Sequence, residues 1–211
     1  MAPIKVVTAE NGKLFLNEEV LKNLMLRQDL LNLNVIVISV AGRVYQDKSF
    51  ILNFLVRYLK HKHDNKTEDW LEKDDRLEGF WYENSVEKIT NGIFIWDEIF
   101  KVRTESNEEV AIILMDTQGL FSLESTIQDA MNIIAFSLFS ASVQIYNLTQ
   151  NVCGDDLSYL HLFTAYSESM GDEVGLQNGP KFQDLVLFFR EWQHSPKCPF
   201  GVHGGDTYLE M

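Results

Sequence analysis

The stretch VIVISVAGRVYQDKSFILNFLVRYL, Val35 to Leu59, decides how the rest of this sequence is read. It begins as an apolar, β-branched run, turns at Gly42 and passes through Lys48-Ser49 into a helical repeat. A glycine turn between a buried strand and a helix, closed by Lys-Ser, has the layout of a phosphate-binding loop, in which backbone N–H groups and the lysine surround a polyanion. The pattern G-x-x-x-x-G-K-[ST] asks for a second glycine just before the lysine. Gly42-Arg43-Val44-Tyr45-Gln46-Asp47-Lys48-Ser49 has an aspartate there. Taken alone, the loop leaves three readings open: a nucleotide site, the remnant of one, or coincidence.

Working outward, Phe50, Phe54, Leu55 and Tyr58 share one face of the helix that begins at the loop. Upstream, IKVVTAENGKLFL alternates and turns at Asn11-Gly12, a strong hairpin signal. Asn17 then offers an N-cap before Glu18 and Glu19, and Val20, Leu21, Leu24 and Met25 recur at helical spacing. Downstream, the polar segment from Asp64 to Asn91 reads as an irregular connection. GIFIWDEIFKV and EVAIILMDTQG read as two strands joined by the turn TESNEE. A helix from about Thr126 to Phe139, the strand SVQIYNL, a helix through DDLSYLHLFTAYSE and the strand DLVLFFR complete an alternation, with GLQNGPK (175–181) as a surface loop. Strands alternating with helices predict one α/β domain over residues 1–211 with a mainly parallel central sheet. Ligands on such sheets bind beyond the carboxyl ends of the strands. The loops after Val40 and after Met115 both lie at such ends.

Composition narrows the function classes. The chain has 211 residues, 45% hydrophobic and 23% charged, the make-up of an ordinary globular domain. A net charge of −13 repels a phosphate backbone, and no basic cluster offsets it, so nucleic acid is not an expected partner. RYLKHKHDNK, with His61 and His63, reads as the solvated end of a helix rather than a metal site. Cys153 and Cys198 lack metal-ligand or C-x-x-C spacing and read as reduced thiols of an intracellular protein. No apolar run has the roughly 20 residues a membrane helix requires.

A second element bears on the loop. Asp116-Thr117-Gln118-Gly119 closes a buried strand, in the manner of a nucleotide switch whose aspartate supports magnesium and whose glycine N–H meets the γ-phosphate. Thr90 lies between the two, where a switch threonine closing over magnesium is expected. With these pieces in place, VISVAGRVYQDKSFILNFLVRYL, LEGFWYENSVEKITNGIFIWDEIF, ILMDTQGLF, IYNLTQNVCGDDLSYLHLFTAY and VLFFREW together resemble the GTPase domain of atlastins, in the dynamin superfamily and near the guanylate-binding proteins. The resemblance runs from Ile4 to the end. It implies a P-loop GTPase-like α/β fold that binds GTP or GDP with Mg²⁺, pairs through its G domain with itself or an atlastin-like relative, and works in the cytoplasm at the cytosolic face of the endoplasmic reticulum in membrane fusion. It also implies that the last sheet elements, a middle domain and a membrane hairpin belong to the relatives and not to this stretch.

Carried over by resemblance, nucleotide contacts fall on Lys48, Ser49, Phe50, Gly119, Arg190 and Glu191, and magnesium contacts on Ser49, Thr90 and Asp116, with Thr90 also the catalytic switch residue. Three positions depart from the family. The glycine before the lysine is Asp47, the loop arginine that serves as a built-in finger is Tyr45, and the guanine-reading aspartate is Glu191. One unit-charge repulsion at 4 Å in an effective dielectric of 20 is about 4 kcal/mol, and such a term weakens binding by roughly a thousandfold. An arginine finger contributes about 10³ to 10⁵ in rate, and Tyr45 carries no charge. The sequence therefore predicts impaired hydrolysis. The alternative is a catalytically dead interaction module that pairs with full-length atlastin-like proteins.

Overall fold

The computed structural model describes residues 1–42, 48–64, 69–71, 77–80, 92–117, 126–154, 156–157, 160–161, 164–165 and 184–211. Two strands organise it, β3 (Asn34–Gly42) and β6 (Glu109–Thr117), which run parallel in register from Asn34 opposite Val110 to Val40 opposite Asp116. β6 is buried at every residue after Glu109. Its unbroken apolar run therefore suits a central strand covered on both faces. β7 (Val143–Leu148) extends the parallel core on the other side of β3, and β8 (Asp184–Phe189) follows β7.

The opposite flank is antiparallel. β1 (Pro3–Glu10) and β2 (Lys13–Leu16) form the expected hairpin, with Glu10 opposite Lys13 and positive φ at both turn residues, 54° at Asn11 and 76° at Gly12. A two-residue turn of this kind needs left-handed backbone at both positions, which Asn-Gly adopts at little cost. β4 (Ile93–Trp96) joins β1 to β6, and β5 (Phe100–Arg103) pairs with the start of β6, giving the order β2-β1-β4-β6-β3-β7-β8. The single strand read over GIFIWDEIFKV is thus two. Asp97 to Ile99 interrupt the ladder, and β4 and β5 meet different parts of the same edge of β6.

Period-2 alternation sorts β6 between two cores. Ala111, Ile113 and Met115 join Val6, Val7, Leu24 and Ile133 on the face covered by α1 (Glu18–Met25) and α3 (Ile127–Ser140). Val110, Ile112 and Leu114 join Val40, Phe100 and Leu52 on the face covered by α2 (Lys48–His63). Both outer helices start as read. Asn17 Oδ1 accepts from Val20 N at 3.2 Å, and Thr126 and Asp129 close a capping box on α3. In α2, however, the face named from sequence is the half-covered one. Its buried side is Leu52, Asn53, Val56 and Leu59, while Phe50 and Phe54 pack edge-on against each other at 5.0 Å and Tyr58 is 37% exposed. The helix end is solvated as read at Lys60, Lys62 and Asp64, while His63 Nδ1 accepts from Lys101 N at 3.0 Å and docks α2 on β5.

The described residues at 154, 156–157, 160–161 and 164–165 are helical, agreeing with the helix read there. GLQNGPK and most of the polar connection from Asp64 to Asn91 lie outside the described residues. A further helix, α4 (Val202–Leu209), was not expected. Among the described residues, no helix is long and apolar enough to cross a membrane.

Candidate nucleotide site

The parity of β6 that sends Leu114 toward α2 sends Asp116 the same way, to the start of the helix. There Ser49 Oγ donates to Asp116 Oδ2 at 2.6 Å, both groups being buried. Thr117 Oγ1 donates to the Val40 carbonyl at 2.7 Å, tying the carboxyl ends of β3 and β6 together. Lys48, 8% exposed, is close enough for its charge to act on the Asp116 carboxyl. The Lys-Ser pair and the strand-ending aspartate, far apart in sequence, therefore form one buried cluster at the end of the sheet where ligands are expected. Just before it, Gly42 holds φ of 152°.

The electrostatics of the cluster are unbalanced. Burial pushes Asp116 up from 3.8 to about 6, against the opposing effects of the Ser49 hydroxyl, the Lys48 charge and the Thr117 backbone N–H. Its Oδ1 has no hydrogen-bond partner among the described residues. A buried carboxylate oxygen without a partner is costly unless something supplies positive charge. Magnesium is a hard cation that takes oxygen ligands, and a serine hydroxyl beside an aspartate is the donor set that holds it in P-loop nucleoside triphosphatases. Ser49 and Asp116 fit that ion.

Arg190 and Glu191 sit at a second place along the same edge, just past β8. Arg190 N donates to the Leu148 carbonyl at 3.1 Å and Glu191 N to the Thr149 carbonyl at 2.8 Å, prolonging the β7–β8 pairing. Gln150 Nε2 donates to Glu191 Oε2 at 3.0 Å. Around them is a cluster the sequence reading missed. His194 stacks on Tyr208 of α4 at 4.8 Å and 28°, and Asn151 Oδ1 lies 2.7 Å from His194 Nε2 and accepts from the Tyr208 hydroxyl at 3.3 Å. Trp192 Nε1 donates to the Cys198 carbonyl at 2.9 Å, further fixing this corner. The available signal was the density of ring side chains after Phe189. Phe50 is half-buried in the first turn of α2. Tyr45, Asp47, Thr90 and Gly119 lie outside the described residues.

A mostly parallel sheet with a Lys-Ser helix start and a strand-ending aspartate at its carboxyl edge defines a P-loop GTPase-like domain. The family model of the guanylate-binding protein N-terminal domain matches residues 11–211, and the chain belongs to that family. Its relatives make it a domain of the atlastin type. Human (Homo sapiens) atlastin-2 is 36% identical over 99% of this chain, Mus musculus atlastin-3 is 38% identical over 99%, and Drosophila melanogaster atlastin is 38% identical over 98%. The chain spans 35%, 38% and 38% of the length of these three relatives.

Proposed function

We propose that this domain binds a guanine nucleotide through magnesium and hydrolyses it poorly. The observation that carries the reading is the buried Ser49–Asp116 pair beside Lys48, with one carboxylate oxygen left for a cation. Lys48 would meet the phosphates, Ser49 and Asp116 with Thr90 would hold the magnesium side, and Gly119 would approach the terminal phosphate. Phe50 would lie beside the nucleotide, while Arg190 and Glu191 would read the base from the β8 end. When bound, magnesium neutralises phosphate charge and orients the nucleotide for attack. Asp47 opposes binding through its charge, and Tyr45 supplies no cation to the transition state, so turnover is impaired.

By its kinship with atlastins, the domain would act at the cytosolic face of the endoplasmic reticulum, in homotypic membrane fusion or as a modulator of it, pairing through its G domain. The substitutions at Tyr45 and Asp47 favour a second reading, a catalytically dead module that pairs with full-length atlastin-like proteins. Titration of a fluorescent GTP analogue separates the two. Saturable micromolar binding that needs magnesium supports the first, and no binding at millimolar nucleotide supports the second. The change Tyr45→Arg in an Asp47→Gly background is expected to raise turnover; an unchanged rate would contradict the finger assignment.

A further inference from the structure

Asn-Gly is a chemically labile dipeptide as well as a turn former. Its glycine lacks the side chain that would hinder attack by the glycine nitrogen on the asparagine side-chain carbonyl. At Asn11–Gly12 this nitrogen is engaged: Gly12 N donates to Asp129 Oδ1 at 2.7 Å. Asp129, 5% exposed, also closes the α3 capping box, with its Oδ2 accepting from Thr126 Oγ1 at 2.6 Å. On the other side of the peptide, Asn132 Nδ2 donates to the Gly12 carbonyl at 2.9 Å, and Gln128 Nε2 donates to Asn132 Oδ1 at 3.0 Å. The hairpin tip is thus latched to the first turns of α3 through both polar groups of Gly12, while Asn11 is exposed.

We propose that Asn11–Gly12 is a latent succinimide-forming modification site, held in check by the Gly12–Asp129 hydrogen bond, and that its conversion releases the hairpin from α3. In the reaction, hydroxide takes the Gly12 N–H proton and the nitrogen attacks Cγ of Asn11. A C–N bond forms, the bond from Cγ to the amide nitrogen breaks, and the departing nitrogen takes a proton from water to leave as ammonia, which regenerates the hydroxide. Water then opens the ring at either carbonyl, leaving an aspartyl or isoaspartyl residue at position 11. Asp129 opposes the first step twice. A carboxylate 2.7 Å away disfavours an amide anion, and the hydrogen bond turns the N–H toward α3. Thr126 and the Gly12 N–H hold the Asp129 carboxyl below the usual range, which keeps it ionised. Once formed, the product adds a negative charge at position 11, next to the residue whose N–H Asp129 holds. The isoaspartyl form also lengthens the main chain, so the tight two-residue turn between Glu10 and Lys13 no longer closes.

The test follows amide-to-acid conversion at Asn11 by peptide mass spectrometry during mildly alkaline incubation of the whole chain, with Asn178–Gly179 as the internal reference. Loss of one hydrogen bond to a charged group corresponds to roughly tenfold in rate or more. Asp129→Ala is expected to accelerate conversion at Asn11 by at least that factor, with the reference rate unchanged. Asn132→Ala, which leaves the Gly12 N–H bond in place, is expected to accelerate it less. A folded Asp129→Ala protein that converts at the wild-type rate overturns the proposal. If Asp129→Ala does not fold, amide exchange at Gly12 in the wild-type chain decides: slowing by roughly tenfold or more relative to an unstructured peptide supports the latch, and exchange at the peptide rate overturns it. In aged wild-type protein, the modified fraction is expected to show faster exchange in the first turn of α3; unchanged exchange there would overturn the release.

Discussion

In the proposed site Asp116 would hold magnesium, and its burial is a penalty for the fold. Its carboxyl is raised to about 6 by burial, so between pH 3.8 and about 6 the folded chain binds more protons than the unfolded one. The nucleotide-free protein therefore loses stability as pH rises through that window, by roughly 3 kcal/mol at most from this group. Denaturant melts at pH 4.5 and pH 7 check the sign, and Asp116→Asn should flatten the difference while abolishing magnesium-dependent nucleotide binding. Ser49→Ala tests the partner. It removes the 2.6 Å bond to Oδ2 and is expected to leave a folded protein whose nucleotide affinity no longer responds to magnesium, measured by titration with and without the ion. Lys48, Ser49 and Asp116 were legible in the sequence because a strand–turn–Lys-Ser–helix layout and a strand-ending aspartate each have a mechanism. Gln150, Asn151, His194 and Tyr208 were not, because side-chain contacts between loops leave no periodic trace.

At the scale of elements, Asn53 shows how a polar residue can be the centre of a helix face. Fully buried in α2, it accepts from Phe80 N at 2.6 Å and donates to the Phe80 carbonyl at 3.0 Å. Asn53→Ala would strand two buried backbone groups at about 1–3 kcal/mol each, so denaturant unfolding should show a loss of about 2–6 kcal/mol. The sequence reading grouped Phe50, Phe54, Leu55 and Tyr58 on one face of α2, whereas the more deeply buried side runs through Leu52, Asn53, Val56 and Leu59. α4 escaped notice because Gly204-Gly205 reads as a helix breaker. In the fold, Gly204 is required by packing: a Cβ there would lie 1.6 Å from the Pro199 carbonyl oxygen. Gly204→Ala should therefore destabilise by about 1–3 kcal/mol despite its better helix propensity, as a lowered melting temperature would show. The hairpin at Asn11-Gly12 and the caps at Asn17 and Thr126 were readable because each depends on residues adjacent in the chain.

For the whole molecule, the alternation of strands and helices was enough to predict the α/β class, the parallel core and the sheet edge where Lys48, Ser49 and Asp116 converge. The antiparallel flank, and the split of one predicted strand into β4 and β5, depend on pairing with β1 and β6 and could not be read from local pattern. If a chain of net charge −13 is to bind a nucleotide polyanion as proposed, magnesium and Lys48 must together outweigh the global field and Asp47. A ligand that binds the folded state stabilises it by mass action, so nucleotide with magnesium should raise the melting temperature while either alone should not. The most direct test is a GTP-analogue titration of the wild-type chain and of Asp47→Gly, each with and without magnesium. A cradle spoiled by one carboxylate predicts tighter binding in Asp47→Gly, by up to roughly a thousandfold, and only with magnesium. Equal affinity in the two proteins, or binding indifferent to magnesium, would contradict it.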